Sequence, residues 1–280
     1  METLARIRFL LIDMDGVLYR GGTALPGAPE FIQWLRRQRI RYLFVTNNST
    51  RTPEQYVERL AQLGISAEAG QILTSSLATR AFLQNRAPRG TPIYLIGQEG
   101  LEAALLGDGY FVHDDRSPRF VVVGLDTRLT YEKLRRATLL IRAGATFIGT
   151  NPDRTFPSPE GITPGCGAIL AAIEAATEVA PVIIGKPERW LFEAALQRLG
   201  APPEQSAVLG DRLDTDIAGG KRLGLTTLLV LTGVHGPEHL RAASVQPDAV
   251  FADLPALLEN WERTLSETRR PQLSQKGTHE

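Results

Sequence analysis

Phe9-Leu10-Leu11-Ile12-Asp13-Met14-Asp15-Gly16 is the stretch from which the fold can be read. Four apolar residues in a row, too few for a helix, predict a strand buried on both faces, as in a parallel sheet covered by helices. The run stops at two carboxylates and a glycine. The same pattern recurs. Tyr42-Leu43-Phe44-Val45 ends at Thr46-Asn47-Asn48, Val182-Ile183-Ile184 runs into Gly185-Lys186, and Ala207-Val208-Leu209 runs into Gly210-Asp211. Leu228 to Leu231 is a further strand, after a helical stretch around Ile217 to Leu223. Phe31 to Leu35 is helical in pattern. Thr52-Pro53-Glu54-Gln55 opens another helix, with Thr52 as N-cap, Pro53 in the first turn, Gln55 completing a capping box and Gly64 closing it. The expected fold class is α/β, a parallel sheet with helices on both faces.

A second alternation occupies the middle of the chain. Ile93 to Ile96, Phe120 to Val123 and Thr146 to Ile148 read as strands, and Leu101 to Leu106, Tyr131 to Ala143 and Ala168 to Ala176 as helices. Arg86 to Gly90 has the composition of a linker and Val179-Ala180-Pro181 that of a return. The expected organisation is a core from residues 1–87 and 182–265, an inserted α/β unit at 88–181, and a mobile polar tail at 266–280.

Lys and Arg number 31 and so do Asp and Glu, for a formal net charge of zero over 280 residues. No basic nucleic-acid footprint is expected. A single cysteine, Cys166, excludes an intramolecular disulfide framework and a multi-cysteine zinc site. No apolar run approaches the roughly 20 residues that span a bilayer. Met1 to Arg8 leads straight into a short apolar run ending at Asp13, which is too brief for a signal peptide, so none is expected. The expectation is a soluble, cytoplasmic protein with no membrane partner.

In a parallel sheet the carboxyl ends of the strands share one edge, where ligands bind. Asp13, Asp15, Thr46, Asn47, Lys186 and Asp211 would therefore converge. Three carboxylates there would repel one another and raise their pKa values unless a hard cation such as Mg²⁺ joined them. Lys186 suits a phosphoryl group, and Thr46 and Asn47 supply donors for its remaining oxygens. A carboxylate nucleophile, a metal, a fixed cation and hydrogen-bond donors together are the parts of a phosphoryl-transfer site.

These segments resemble the four motifs of the haloacid dehalogenase (HAD) superfamily. Asp13-Met14-Asp15-Gly16-Val17-Leu18-Tyr19-Arg20-Gly21 is similar to the first and Val45-Thr46-Asn47-Asn48-Ser49 to the second. Gly185-Lys186-Pro187 and Gly210-Asp211-Arg212-Leu213-Asp214-Thr215-Asp216-Ile217 are similar to the third and fourth. Thr150-Asn151-Pro152-Asp153 and Pro164-Gly165-Cys166-Gly167 also look like subfamily IIA, the p-nitrophenylphosphatase-like branch. The resemblance spans residues 9 to 235 in order. It implies a Rossmann-like core with an inserted cap of the C2 type, and a Mg²⁺-dependent phosphatase of small phosphomonoesters. Candidate substrates are sugar phosphates, nucleoside monophosphates and phosphoglycolate, with p-nitrophenyl phosphate as an artificial one. By the same resemblance Asp13 is the nucleophile and Asp15 the general acid and base. Asp13, Asp211 and the Asp15 carbonyl would hold the metal, with Asp216 behind it or reaching it through water. Thr46, Asn47 and Lys186 would bind the phosphoryl oxygens. Asn151, Asp153 and Arg154 of the cap could face the leaving group, and relatives of this type form cap-mediated homodimers.

Singly, each signal has a plainer reading: Asp-x-Asp-Gly is a common turn, and a lone lysine is usually solvated. The histidines at 113, 235, 239 and 279 lack metal-ligand spacing, and Cys166 between two glycines suggests close packing. The absence of Gly-x-Gly-x-x-Gly after the first strand counts against a nicotinamide enzyme. A phosphoacceptor of signalling type, or a phosphate-ligand binding protein on the same fold, is the alternative. The pairing of Asp15 with Asp13 argues against both, because Asp15 is placed to activate water.

Overall fold

The computed structural model describes residues 2–158 and 160–269. Six short strands form one parallel sheet in the order Ala249–Phe251, Thr226–Val230, Ser206–Gly210, Phe9–Ile12, Arg41–Thr46, Ile72–Thr74. Phe9–Ile12 is central. Its last residue, Ile12, lies in register with Leu209 on one side and Phe44 on the other. The strands between residues 41 and 74 build outward from it in one direction and those between 206 and 251 in the other. Asp13 therefore stands at the point where the order of strands reverses, where a crevice opens at the carboxyl edge.

Helices cover both faces. On one, Ala28–Arg37 buries Phe31, Ile32, Trp34 and Leu35 while its arginines face water. Leu254–Arg269 packs beside it, with the Trp34 and Trp261 rings 5.3 Å apart and fully buried. On the other face lie Ser75–Gln84 and Arg189–Leu199. The apolar cluster there runs on without a break from Leu11, Val45 and Leu191 to Ile93, Phe120 and Ile148 of a second sheet.

That second sheet has five parallel strands in the order Val182–Ile183, Thr146–Gly149, Phe120–Val123, Thr91–Ile96, Phe111–His113. Tyr131–Arg142 and Cys166–Thr177 pack on its outer face. An antiparallel ribbon, Thr155–Ser158 with Gly161–Pro164, leads from this sheet toward the carboxyl edge of the first.

Four details differ from the sequence reading. Val182–Ile183, expected to open the returning half of the core, instead pairs with Ile148 and Gly149 of the second sheet. An apolar strand fits the edge of either sheet, and its sequence does not say which. The core strands Ile72–Thr74 and Ala249–Phe251, and Phe111–His113 in the second sheet, are three residues each and too short to leave a pattern. The helical stretch after Asp211 begins as a π-helical turn, Leu213–Ile217, before Ala218–Arg222. The last helix continues through Arg269, so the expected polar tail begins as its final turn, and residues 270–280 lie outside the described residues.

Candidate active site

Asp13 extends the ladder one residue beyond its strand, its N–H donating to the Leu209 carbonyl at 2.8 Å. The chain then turns tightly, with Leu18 N–H bonded to the Met14 carbonyl and Gly16 N–H to that of Tyr19, both at 2.8 Å. Gly16 sits at φ 87°, and a side chain there would stand 2.5 Å from Asp211 Oδ2. Glycine alone meets both demands. The turn leaves the Asp13 side chain buried and that of Asp15 accessible in the crevice.

Lys186 reaches the same point from the segment after Val182–Ile183. Its Nζ donates to Asp13 Oδ1 at 2.6 Å and to Asp216 Oδ1 at 2.7 Å, and it is 3% exposed. Asp216 projects from the π-helical turn, in which the N–H groups of Asp216 and Ile217 both bond to the Arg212 carbonyl at 3.1 Å. Such an extra residue in a helical turn re-aims the side chains around it. Asp211 follows strand Ser206–Gly210. Its Oδ2 accepts from Val234 N–H at 2.7 Å, while its Oδ1 is buried with no hydrogen-bond partner among the described residues.

Asp13, Asp211 and Asp216 bring carboxylate oxygens within 4.8 Å of one another. Three buried carboxylates against one lysine leave negative charge uncompensated, and isolated buried charge is costly. The titrations reflect this. Burial, with Asp216 and Asp211 adding repulsion, lifts Asp13 well above the usual carboxylate range despite Lys186. Burial and then Asp216 push Asp211 up to about 6. Burial opposes the Lys186 ammonium, but its two carboxylate partners outweigh that and hold it above its ordinary value. A hard divalent cation would reverse the balance. The orphaned Asp211 Oδ1 is a ready ligand for one, and Gly233, where a Cβ would stand 1.8 Å from Asp211 Oδ2, keeps the space around it open. The residues present fit such an ion.

Thr46 is buried at the end of its strand, and its Oγ1 accepts from Asn48 N–H at 3.1 Å, leaving the hydroxyl proton to donate. Asn47 is used otherwise than expected. Its side-chain amide is engaged with the Lys186 backbone and with Asp153 Oδ1 and Oδ2 at 3.3 Å, and its carbonyl accepts from Asn151 Nδ2 at 2.7 Å. Asn47 thus ties the core to the second unit.

All these residues line one cleft of about 380 Å³. Asn151, Asp153, Thr155, Phe156 and Leu125 bring the second unit to it. Burial raises Asp153 above the ordinary carboxylate range, against Arg212 and the Asn47 amide. Arg154 is exposed and not part of the lining. Asp15 also titrates above its usual range through burial by the cleft walls, although Arg59 and Arg20 pull it down. Tyr19, Tyr56, Arg20 and Arg212 line the cleft as well and were not foreseen. Tyr19, Arg20 and Arg212 stand in quoted motifs, so proximity was the available signal. Tyr56 carried none beyond its place on the inner face of helix Pro53–Gln62. Of the histidines, His235 accepts from Leu213 N–H at 2.8 Å, a structural use, and His279 lies outside the described residues.

Comparison with known proteins agrees with the geometry. Residues 10–110 match a family described as haloacid dehalogenase-like hydrolase, and residues 183–257 match a HAD-hydrolase-like family. An acid sugar phosphatase of Staphylococcus saprophyticus is 42% identical over 253 residues, 90% of this chain and 97% of that protein. A 4-nitrophenylphosphatase of Thermotoga maritima superposes with a TM-score of 0.87 at 38% identity, covering 92% of this chain and 98% of its own. NagD from E. coli K-12 superposes with a TM-score of 0.83 at 31% identity, covering 89% and 97%.

Proposed function

The chain belongs to the haloacid dehalogenase-like hydrolases, in subfamily IIA, and is a phosphatase, and from that premise we propose that it hydrolyses small phosphomonoesters, sugar phosphates foremost, with Mg²⁺ and through a phosphoaspartate on Asp13. The observation that carries this is Lys186 bridging Asp13 and Asp216 beside the unpaired oxygen of Asp211, at the floor of a cleft of small-molecule size.

Lys186 holds one oxygen of Asp13 and fixes the carboxylate for in-line attack on phosphorus. As the new O–P bond forms, the bond to the leaving oxygen breaks. Asp15, which burial by the cleft walls lifts above the usual carboxylate range, donates a proton to the leaving alkoxide. In the second half, Asp15 as carboxylate takes a proton from water as the water attacks phosphorus, and Asp13 is released. Lys186, the Thr46 hydroxyl and the backbone N–H of Asn47 hold the non-bridging oxygens. Asp13, Asp211 and the Asp15 carbonyl, with Asp216 alongside, would hold a divalent cation, which would supply neutralisation of the charge on the phosphoryl group. The second unit acts as a cap: Phe156 and Leu125 exclude bulk water, and Asp153 accepts from sugar hydroxyls. In this reading the enzyme is cytoplasmic, in keeping with its single, buried, unpaired cysteine.

The test is phosphate release from a panel of phosphomonoesters, with chelator and with Mg²⁺ restored. Sugar phosphates turned over only with the cation support the proposal. Full turnover after thorough chelation would refute the metal, and failure on every sugar phosphate would refute the substrate class.

A further inference from the structure

Beyond the catalytic cleft lies a wider vestibule of about 1230 Å³ that shares Asp15, Tyr19, Tyr56, Leu125 and Phe156 with it. It opens on the leaving-group side, because Asp15 stands at the junction. Four arginines line it: Arg20, Arg51 and Arg59 from the core and Arg128 from the cap. None of the four pairs with a carboxylate among the described residues. Two are anchored by neutral groups instead. Arg20 donates to the carbonyls of Thr232 and Gly233, and Arg59 to that of Gly21 while stacking 4.6 Å over the Tyr19 ring. Anchoring to carbonyls leaves a guanidinium its full charge and lowers the entropy lost when it binds an anion. The Arg59 Nε–H is also buried without an acceptor among the described residues. The vestibule's acidic residues besides Asp15 are Glu58 and Glu99, and Glu99 already accepts from Gln55 Nε2 at 2.8 Å.

We propose that this vestibule is a second anion subsite, and that the preferred phosphomonoesters carry a second negative group, a carboxylate or another phosphate, on the leaving portion. The reasoning rests on the phosphatase reading above. A neutral hydroxyl tail would leave Arg51 and Arg128 to water, with Arg20 and Arg59 facing Asp15 alone, whereas an anionic tail meets preset donors from both core and cap. Because one wall is the cap's Arg128 and the other the core's arginines, such a tail also bridges the two units across the cleft.

The experiment compares matched esters that differ only in that group: 6-phosphogluconate against sorbitol 6-phosphate, and phosphoglycolate against 2-hydroxyethyl phosphate, with p-nitrophenyl phosphate as a common reference. The wild-type enzyme is expected to favour the anionic member of at least one pair in kcat/KM. Arg51→Gln and Arg128→Gln, which change neither the acid cluster nor Lys186, should each raise KM for that member about tenfold, roughly the worth of one charge-assisted hydrogen bond. The neutral member and p-nitrophenyl phosphate should change less than about twofold. The preference should also shrink as salt is raised. Equal kcat/KM within both pairs, or a preference that survives both substitutions, would overturn the subsite while leaving the phosphatase intact. Failure of the wild type to hydrolyse even p-nitrophenyl phosphate would overturn the phosphatase reading, and the subsite with it.

Discussion

Asn47 brackets the backbone of Lys186: its Oδ1 accepts the Lys186 N–H at 2.7 Å and its Nδ2 donates to the Lys186 carbonyl at 2.9 Å. Both bonds are buried. They join the end of a core strand to the segment that delivers the lysine, so Asn47 sets the height at which the ammonium meets Asp13. The Asn47 carbonyl in turn takes a hydrogen bond from Asn151, which couples this setting to the seating of the cap.

Asn47→Asp keeps the acceptor but loses the donor and sets a carboxylate against the Lys186 carbonyl. The expected result is a fall in kcat of about 100-fold, the cost of misplacing a catalytic group by an ångström, with KM changed little. Steady-state kinetics check it. An unchanged kcat would contradict the positioning role.

Lys186→Met nearly conserves volume but leaves Asp13, Asp216 and Asp211 facing one another without a cation. Breaking a buried ion pair from one side costs roughly 3–5 kcal/mol, and that loss is expected in denaturant unfolding at neutral pH with chelator present. Added Mg²⁺ should recover part of it. Equal stability of variant and wild type under chelation would contradict this account of the charge balance.

Asp211 makes the metal-free protein sensitive to pH. Its carboxyl lets go of its proton near 3.8 when unfolded and near 6 when folded. Below both values its contribution to stability is complete. Between them the unfolded chain releases the proton and the folded one retains it, so stability falls as pH rises, by about 1.4 kcal/mol per unit of difference. Chelated protein should therefore show a decline in melting temperature from pH 4 to 6 that Mg²⁺ diminishes. The same profile with and without cation would count against a metal site at these carboxylates.

Gly233→Ala drives a methyl into Asp211 Oδ2, where an ideal Cβ stands 1.8 Å away. Displacing a metal ligand in this way should raise the Mg²⁺ concentration for half-maximal activity by about 10- to 100-fold. Gly70→Ala, with nothing within 4 Å, is the control and should leave it unchanged. Equal Mg²⁺ dependence in both variants would contradict a cation beside Asp211.

The central strand and its neighbours were legible because continuous apolar runs ending in polar residues leave few alternatives to a buried parallel sheet. Thr52 and Gln55 form the capping box that their spacing announces. Asp13, Thr46 and Asp211 share an edge because they end or follow neighbouring strands of one parallel sheet, whereas Lys186 arrives from a strand of the other sheet. What stayed hidden depends on tertiary contact. The side-chain amide of Asn47 could face a ligand or the Lys186 backbone with equal ease in sequence terms. Val182–Ile183 is apolar enough for either sheet. Asp216 was expected behind the metal or reaching it through water, and the π-helical turn that sets it beside Asp13 and Asp211 is a one-residue adjustment of the backbone that no spacing rule foretells. The arginines of the vestibule come from separate segments, each of which reads singly as solvated surface.

The most direct test of the central claim is to quench Asp15→Asn with acid during turnover of p-nitrophenyl phosphate and map the phosphorylated peptide. Without Asp15 to activate water, the account predicts a phosphoryl group on Asp13 that accumulates with Mg²⁺ present and is absent from Asp13→Asn. Phosphate release that proceeds unaltered in Asp13→Asn, with no residue phosphorylated at any time, would contradict it.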